Sequence, residues 1–254
     1  MKWLKMLINR MLDFFKPSPK YPLPLSPSQE LMLTSEATSV AFSGHWPSAF
    51  YLRDDYLHAP GHKGIQDHHS PKHSGPFRDP DYPDTILLHY TAGPSASSAI
   101  DTLCDPKRRV SAHLVVDRWG FVNQLLSFKQ IGWHAGRSRW GARERLNHFS
   151  IGMLMVNAGR LVERNGRLFA WWGDEISRED GIQVAYKGEG VLSWWHRYST
   201  LQLSQVQQLC RFLIQEYPIH LVLGHEEVSP GRKEDPGPAF PIEELRRNLG
   251  INPD

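Results

Sequence analysis

The chain has 254 residues, of which 40% are hydrophobic and 22% charged, with a formal net charge of +2 at neutral pH. These values exclude a collagen, a disordered acidic tail and a polytopic membrane protein, and the small charge argues against a nucleic-acid partner, which calls for a basic excess. Cys104 and Cys210 are too few for a disulfide framework, so reduced thiols are the simplest expectation.

Residues 1–16 set Trp3, Leu4, Leu7, Ile8, Met11, Leu12, Phe14 and Phe15 at helical spacing against Lys2, Lys5, Arg10 and Lys16. That pattern predicts a basic amphipathic helix, which could dock on its own domain, touch a membrane surface or serve in delivery. Arg10 and Asp13 interrupt it, so it is a poor signal peptide, and no apolar run reaches the ~20 residues that span a bilayer. Residues 17–83 read as a Pro/Ser/His-rich extension, beginning with the tether-like "KPSPKYPLPLSPSQ". Its cluster of His58, His62, His68, His69 and His73 is read as solvated loop.

A compact domain is expected over residues 84–254. "TILLHY" (Thr85–Tyr90) predicts a buried strand, and Ser97–Cys104 a helix with Ser95 or Ser97 as N-cap. "SAHLVVDRWGFVNQLL" predicts a hairpin turning around Asp117–Gly120. "FSIGMLMVN" (Phe149–Asn157) and "HLVLGH" (His220–His225) predict two further buried strands, with an amphipathic helix over Leu201–Tyr217 between them. The fold class is therefore α/β, with a central mixed sheet flanked by helices. Residues 160–199 form a Trp-rich insert, readable either as a core lid or as a wall on which a sugar stacks.

His89 and His225 each end a predicted strand, and Asp235 follows ten residues after His225. Two imidazoles and a carboxylate suffice for a catalytic zinc ion, although spacing alone is a weak signal. The surrounding segments strengthen it. "TILLHYTAG", "RVSAHLVVDRWG", "WHAGRSRWG", "LNHFSIGMLMVNAG" and "GHEEVSPGRKEDPGPAFP" occur in this order. Together they resemble the zinc N-acetylmuramoyl-L-alanine amidases of the amidase-2 and peptidoglycan-recognition-protein superfamily, most nearly the anhydromuropeptide-recycling amidases.

The resemblance, which covers about Asp84–Leu249, implies an amidase-2-like domain that hydrolyses the amide between N-acetylmuramic acid and L-alanine in peptidoglycan or muropeptides. It implies His89, His225 and Asp235 as Zn2+ ligands and Lys233 as the catalytic cation that stabilises the developing oxyanion. It places His134 and Asn147 along the substrate, or else as residues that structure a loop. His113 is read as structural. At one position the chain departs from the pattern: the glutamate that serves the recycling amidases as general base is replaced by Leu154, and the tyrosine that some phage amidases carry is replaced by Ala112. Glu226, Glu227 and Asp174 are candidate substitutes. The alternatives are a non-catalytic muropeptide receptor or regulator, and a phage lysin or delivered cell-wall toxin. A cytoplasmic location is expected, with delivery to the periplasm or cell wall as the alternative.

Overall fold

A computed structural model describes residues 50–59, 65–186 and 192–251. The predicted amphipathic helix over residues 1–16 and the tether up to residue 49 lie outside the described residues, as does His62.

The chain opens with a hairpin of β1 (Tyr51–Arg53) and β2 (Tyr56–His58), followed by β3 (Ile65–Asp67) and β4 (Thr85–Tyr90). Helix α1 (Ala96–Cys104) leads into the hairpin of β5 (Leu114–Val116) and β6 (Val122–Gln124). A small ribbon, β7 (Arg139–Trp140) with β8 (Arg143–Glu144), precedes β9 (Ser150–Met155). The insert then folds as β10 (Val162–Arg164), β11 (Arg167–Phe169) and β12 (Glu175–Ile176), with β13 (Gly181–Ala185) paired to β14 (Leu192–His196). Helix α2 (Thr200–Glu216), β15 (Leu221–Gly224), the short helix α3 (His225–Val228) and α4 (Ile242–Leu249) complete the chain.

The main sheet has the order β15-β4-β9-β5-β6-β3. Its β15-β4, β4-β9, β9-β5 and β6-β3 pairs are parallel and β5-β6 is antiparallel. This is the mixed sheet expected from the sequence. Parallel strands are covered on both faces, which is why "TILLHY" is an almost unbroken apolar run rather than an alternating one. Ile86, Leu88, Ile151, Met153, Leu114 and Val222 point to one face and pack under Val206, Leu209 and Leu213 of α2 and Leu245 of α4. On the other face, Val115 packs with Ile100 and Leu103 of α1, while Leu87 and Leu223 pack with Leu146 and Val228.

Both long connections obey local chemistry. Ser95 caps α1 by accepting the Ser98 N–H at 3.2 Å, and Ser199 caps α2 by accepting the Gln202 N–H at 3.1 Å. Asp117 holds the hairpin turn, its Oδ1 accepting the N–H groups of Trp119 and Phe121. Buried Gln202 donates from Nε2 to the carbonyls of Val116 and Val156, tying the ends of β5 and β9 to the first turn of α2. Both cysteines are free.

Residues before Asp84 also pack onto this sheet and its core. Leu57 is fully buried in the main core and its N–H donates to Gln124 Oε1 at 2.6 Å. Strand β3 extends the main sheet beside β6. Buried Ser70 donates to the Leu103 carbonyl, and Lys72 Nζ donates to the carbonyls of Thr102 and Asp105 at the end of α1. A cation satisfying the orphan carbonyls of a helix C-terminus is favourable. The segment joins the domain through polar groups and a few apolar ones, so hydrophobic periodicity had nothing to register. Among the described residues no helix is long and apolar enough to cross a membrane.

Candidate metal centre

The site is built at the carboxyl ends of two neighbouring parallel strands. His89 is the penultimate residue of β4, and His225 follows β15 as the first residue of α3. The loop after α3 returns Asp235, whose carbonyl accepts the Glu226 N–H at 2.8 Å and pins the loop to the helix. All three side chains are buried. His89 Nδ1 and His225 Nδ1 each lie 2.9 Å from Asp235 Oδ2 and 3.0 Å from one another. Among the described residues this is the only group of three potential ligands that converges.

The protons of the site follow from what lies behind it. His134 Nε2 faces the Ser150 carbonyl at 3.3 Å, so it carries the proton and Nδ1 accepts. His134 Nδ1 is 3.2 Å from His89 Nε2, which must therefore be the protonated nitrogen of His89. His225 Nε2 faces the Ala135 carbonyl at 3.0 Å and is protonated for the same reason. Both Nδ1 atoms are left as lone pairs aimed at a carboxylate oxygen. Three acceptors within 3.0 Å of each other repel unless a cation lies among them. The donor set thus fits a divalent metal, and imidazole with carboxylate suits zinc. Burial pulls the His89 pKa down to about 4 against the opposing Asp235 carboxylate, with His225 and Lys233 pulling the same way, so the ring stays neutral and able to ligate.

Sequence-predicted residues fall into two sets around this centre. Lys233 is half-buried two residues before Asp235, and its charge is close enough to act on His89. His134 stands behind His89, with both ring nitrogens committed to protein partners. Asn147 Oδ1 accepts the N–H groups of His134 and Ala135, fixing the loop that carries them. His113 is buried, accepts the Gly152 N–H at 2.9 Å and donates to the Gln130 carbonyl at 2.8 Å. Gly152 is glycine for a steric reason: a Cβ there would lie 2.5 Å from the His134 ring.

The sequence did not flag Arg232. Its guanidinium donates to the Ala135 and Arg137 carbonyls and to Ser229 Oγ, sharing with His225 the carbonyl that fixes the ring. Its place beside Lys233 in "PGRKEDPG" was the available signal.

At the departure from the family pattern, Leu154 is the register partner of His89 on β9. It packs, partly buried, against Ala112, Val115 and α1. The candidate substitute carboxylates are engaged elsewhere. Glu227 Oε2 accepts from the Gly224 N–H and from Arg246. Glu226 Oε2 accepts from the Tyr186 hydroxyl at 2.9 Å, and Asp174 accepts from Trp172 Nε1 out in the insert.

With this geometry in hand, comparison with known proteins is decisive. Residues 79–238 match the family model of N-acetylmuramoyl-L-alanine amidase, Amidase_2. The chain belongs to this family. The amidase-2 domain is 30% identical over 179 residues to the N-acetylmuramoyl-L-alanine amidase AmiD of Escherichia coli K12, covering 66% of this chain and 54% of that protein. It is 32% identical over 146 residues to the 1,6-anhydro-N-acetylmuramyl-L-alanine amidase AmpD of Salmonella typhimurium, covering 57% of this chain and 59% of that protein. The amidase-2 match thus spans a little over half the length of these relatives. Among solved structures, an AmpD derivative superposes with a TM-score of 0.55 at 23% identity, over 78% of this chain and 99% of that one. AmiD from E. coli, solved with anhydro-N-acetylmuramic acid-L-Ala-D-gamma-Glu-L-Lys, gives 0.51 at 23% identity, over 80% of this chain and 66% of that one. Both show the same fold.

Proposed function

We propose that the protein is a zinc-dependent amidase that cleaves the bond between N-acetylmuramic acid and L-alanine in muropeptides. The observation that carries this reading is the convergence of two Nδ1 lone pairs and one carboxylate oxygen, with tautomers set from behind by Ser150 and Ala135. It is supported by family membership and by relatives named for this activity. His89, His225 and Asp235 hold the metal. When bound, zinc supplies a Lewis acid that polarises the scissile carbonyl and makes water a competent nucleophile near neutral pH.

The remaining work falls to the chain. Attack of water on the lactyl carbonyl carbon forms a C–O bond, and collapse breaks the C–N bond to L-alanine. Lys233 places a positive charge where the carbonyl oxygen becomes negative, stabilising charge that appears only on the way to the transition state. His134 keeps His89 in one tautomer and orientation. A proton must also travel from the water to the departing nitrogen. The position that would relay it on β9 is the leucine at 154, so turnover is slow, because a general acid–base group typically contributes about 10²–10⁴-fold.

The same leucine favours a second reading, a receptor that holds muropeptide without cutting it. Zinc-loaded protein incubated with muropeptides, with stem-peptide release followed by mass spectrometry, separates the two. Slow release that chelation abolishes is expected. Tight binding with retained zinc and no release at high protein concentration would establish the receptor. Leu154→Glu should raise turnover about a hundredfold, the low end of what such a group contributes. A flat response would show that the relay is not what limits the site.

A further inference from the structure

The Trp-rich insert divides its aromatic side chains between two tasks. Trp195 is buried, and Trp172 and Trp194 pack partly buried against Leu168 and Ala170. Trp171 does neither: it is 69% exposed, more than any other large apolar side chain among the described residues. An indole left in water usually sits on a mobile tip. This one is held on three sides. The turn that carries it is closed by Ala170 N–H to the Asp174 carbonyl and Gly173 N–H to the Ala170 carbonyl, both at 2.9 Å. Trp172 braces it edge to face at 5.8 Å, and Trp172 Nε1 is itself anchored on Asp174. Trp171 Nε1 donates to the Ala92 carbonyl at 2.8 Å.

That last bond fixes the place. Ala92 lies three residues beyond His89, on the loop joining the metal-ligand strand to α1, so the two Cα atoms are at most about 11 Å apart. The loop's next element begins at Ala96, which packs in the same apolar cluster as Leu154, the register partner of His89. Trp171 is therefore tied to the loop that leaves the strand carrying His89.

The bond also fixes the chemistry. With its single N–H spent on Ala92, the indole offers a ligand no hydrogen bond, only a rigid apolar face. The C–H face of a pyranose ring matches such a surface. We propose that Trp171 is the glycan platform of this site, stacking on a sugar ring of the substrate while the scissile amide lies at the metal. This rests on the amidase reading and adds to it a specificity: substrates that keep their sugar bind better than the bare lactyl peptide.

The test uses the full chain, two substrates and two variants. One substrate is an N-acetylglucosaminyl-anhydromuramyl peptide, and the other is the D-lactoyl derivative of the same peptide, which lacks both rings. Trp171→Ala should raise KM for the first about three- to tenfold, the range of an aromatic contact, and leave kcat and both constants for the second unchanged. Trp171→Phe should retain most of the effect. Calorimetric titration of the free disaccharide into zinc-free protein should show the same loss without any turnover, so a failure of the amidase reading would not hide the result. Equal loss on both substrates would assign Trp171 to folding of the insert or to the stem peptide. Disaccharide binding that is absent, or identical in wild type and Trp171→Ala, would overturn the proposal.

Discussion

The residue that decides which nitrogen of His89 faces the metal centre is not itself part of the His89, His225 and Asp235 group. His134 receives the His89 Nε2 proton and passes its own to the Ser150 carbonyl, so the identity of one backbone acceptor sets the protonation of two rings in series. His134→Leu removes the acceptor and frees His89 to exchange tautomers and tilt. Zinc affinity, measured by chelator competition, should fall about 10–100-fold, the usual cost of losing such a partner. An unchanged affinity would mean that packing alone orients His89. The His89, His225 and Asp235 group, which converges in the structure, was legible through the ordered motifs that resemble the amidases rather than through spacing, which alone is a weak signal. The layer behind it was not, because Ser150 and Ala135 act through backbone carbonyls that carry no residue signature. Gly152 sits in between: its glycine was visible, but the reason for it, the His134 ring in the space a Cβ would fill, appears only when β9 meets the loop at residue 134.

At the level of elements, apolar runs were read correctly wherever burial dominates. Strands β4, β9 and β15 and helix α2 all follow their patterns. Segments whose docking is polar escaped, as with residues 65–83, which are joined to the domain by sheet extension and by Ser70 and Lys72. The insert lies between these cases. Its Trp195 is 1% exposed, Arg160 stacks over its ring at 4.7 Å, and a Cβ at Gly237 would come within 2.9 Å of it. The insert is therefore stapled to the loop that carries Asp235. Trp195→Ala should cost about 3–5 kcal/mol in urea unfolding, as for other large aromatic truncations, and should weaken zinc binding in parallel. A variant that loses stability but keeps full zinc affinity would show that the insert does not help place Asp235. Leu192→Ser, on a side chain 60% exposed, serves as the control and should change neither.

The whole molecule carries an acid sensitivity that comes from histidines rather than carboxylates. Burial lowers the His113 pKa to about 4, against the opposing hydrogen bond to the Gln130 carbonyl. Burial, reinforced by the charge of Arg118, lowers that of His196 to about 3. In the unfolded chain both titrate near 6.5. Above that pH neither state binds the extra protons and the stability is fully present. As the pH falls from about 6.5 towards 4, the unfolded chain takes up two protons that the folded chain refuses, so stability falls. Each group contributes about 1.4 kcal/mol per pH unit in that window, or on the order of 4 kcal/mol for the pair at pH 5. Asp117 works in the opposite sense: burial raises its pKa to about 6, so the folded chain takes up a proton there and offsets part of the histidine slope. Urea unfolding of chelated protein should give a lower free energy at pH 5 than at pH 7. The ring-proton resonances of His113 and His196 should stay at neutral-imidazole positions down to pH 5. Equal stability at the two pH values, or mid-range titration of either ring, would show that these sites accept a proton without opening.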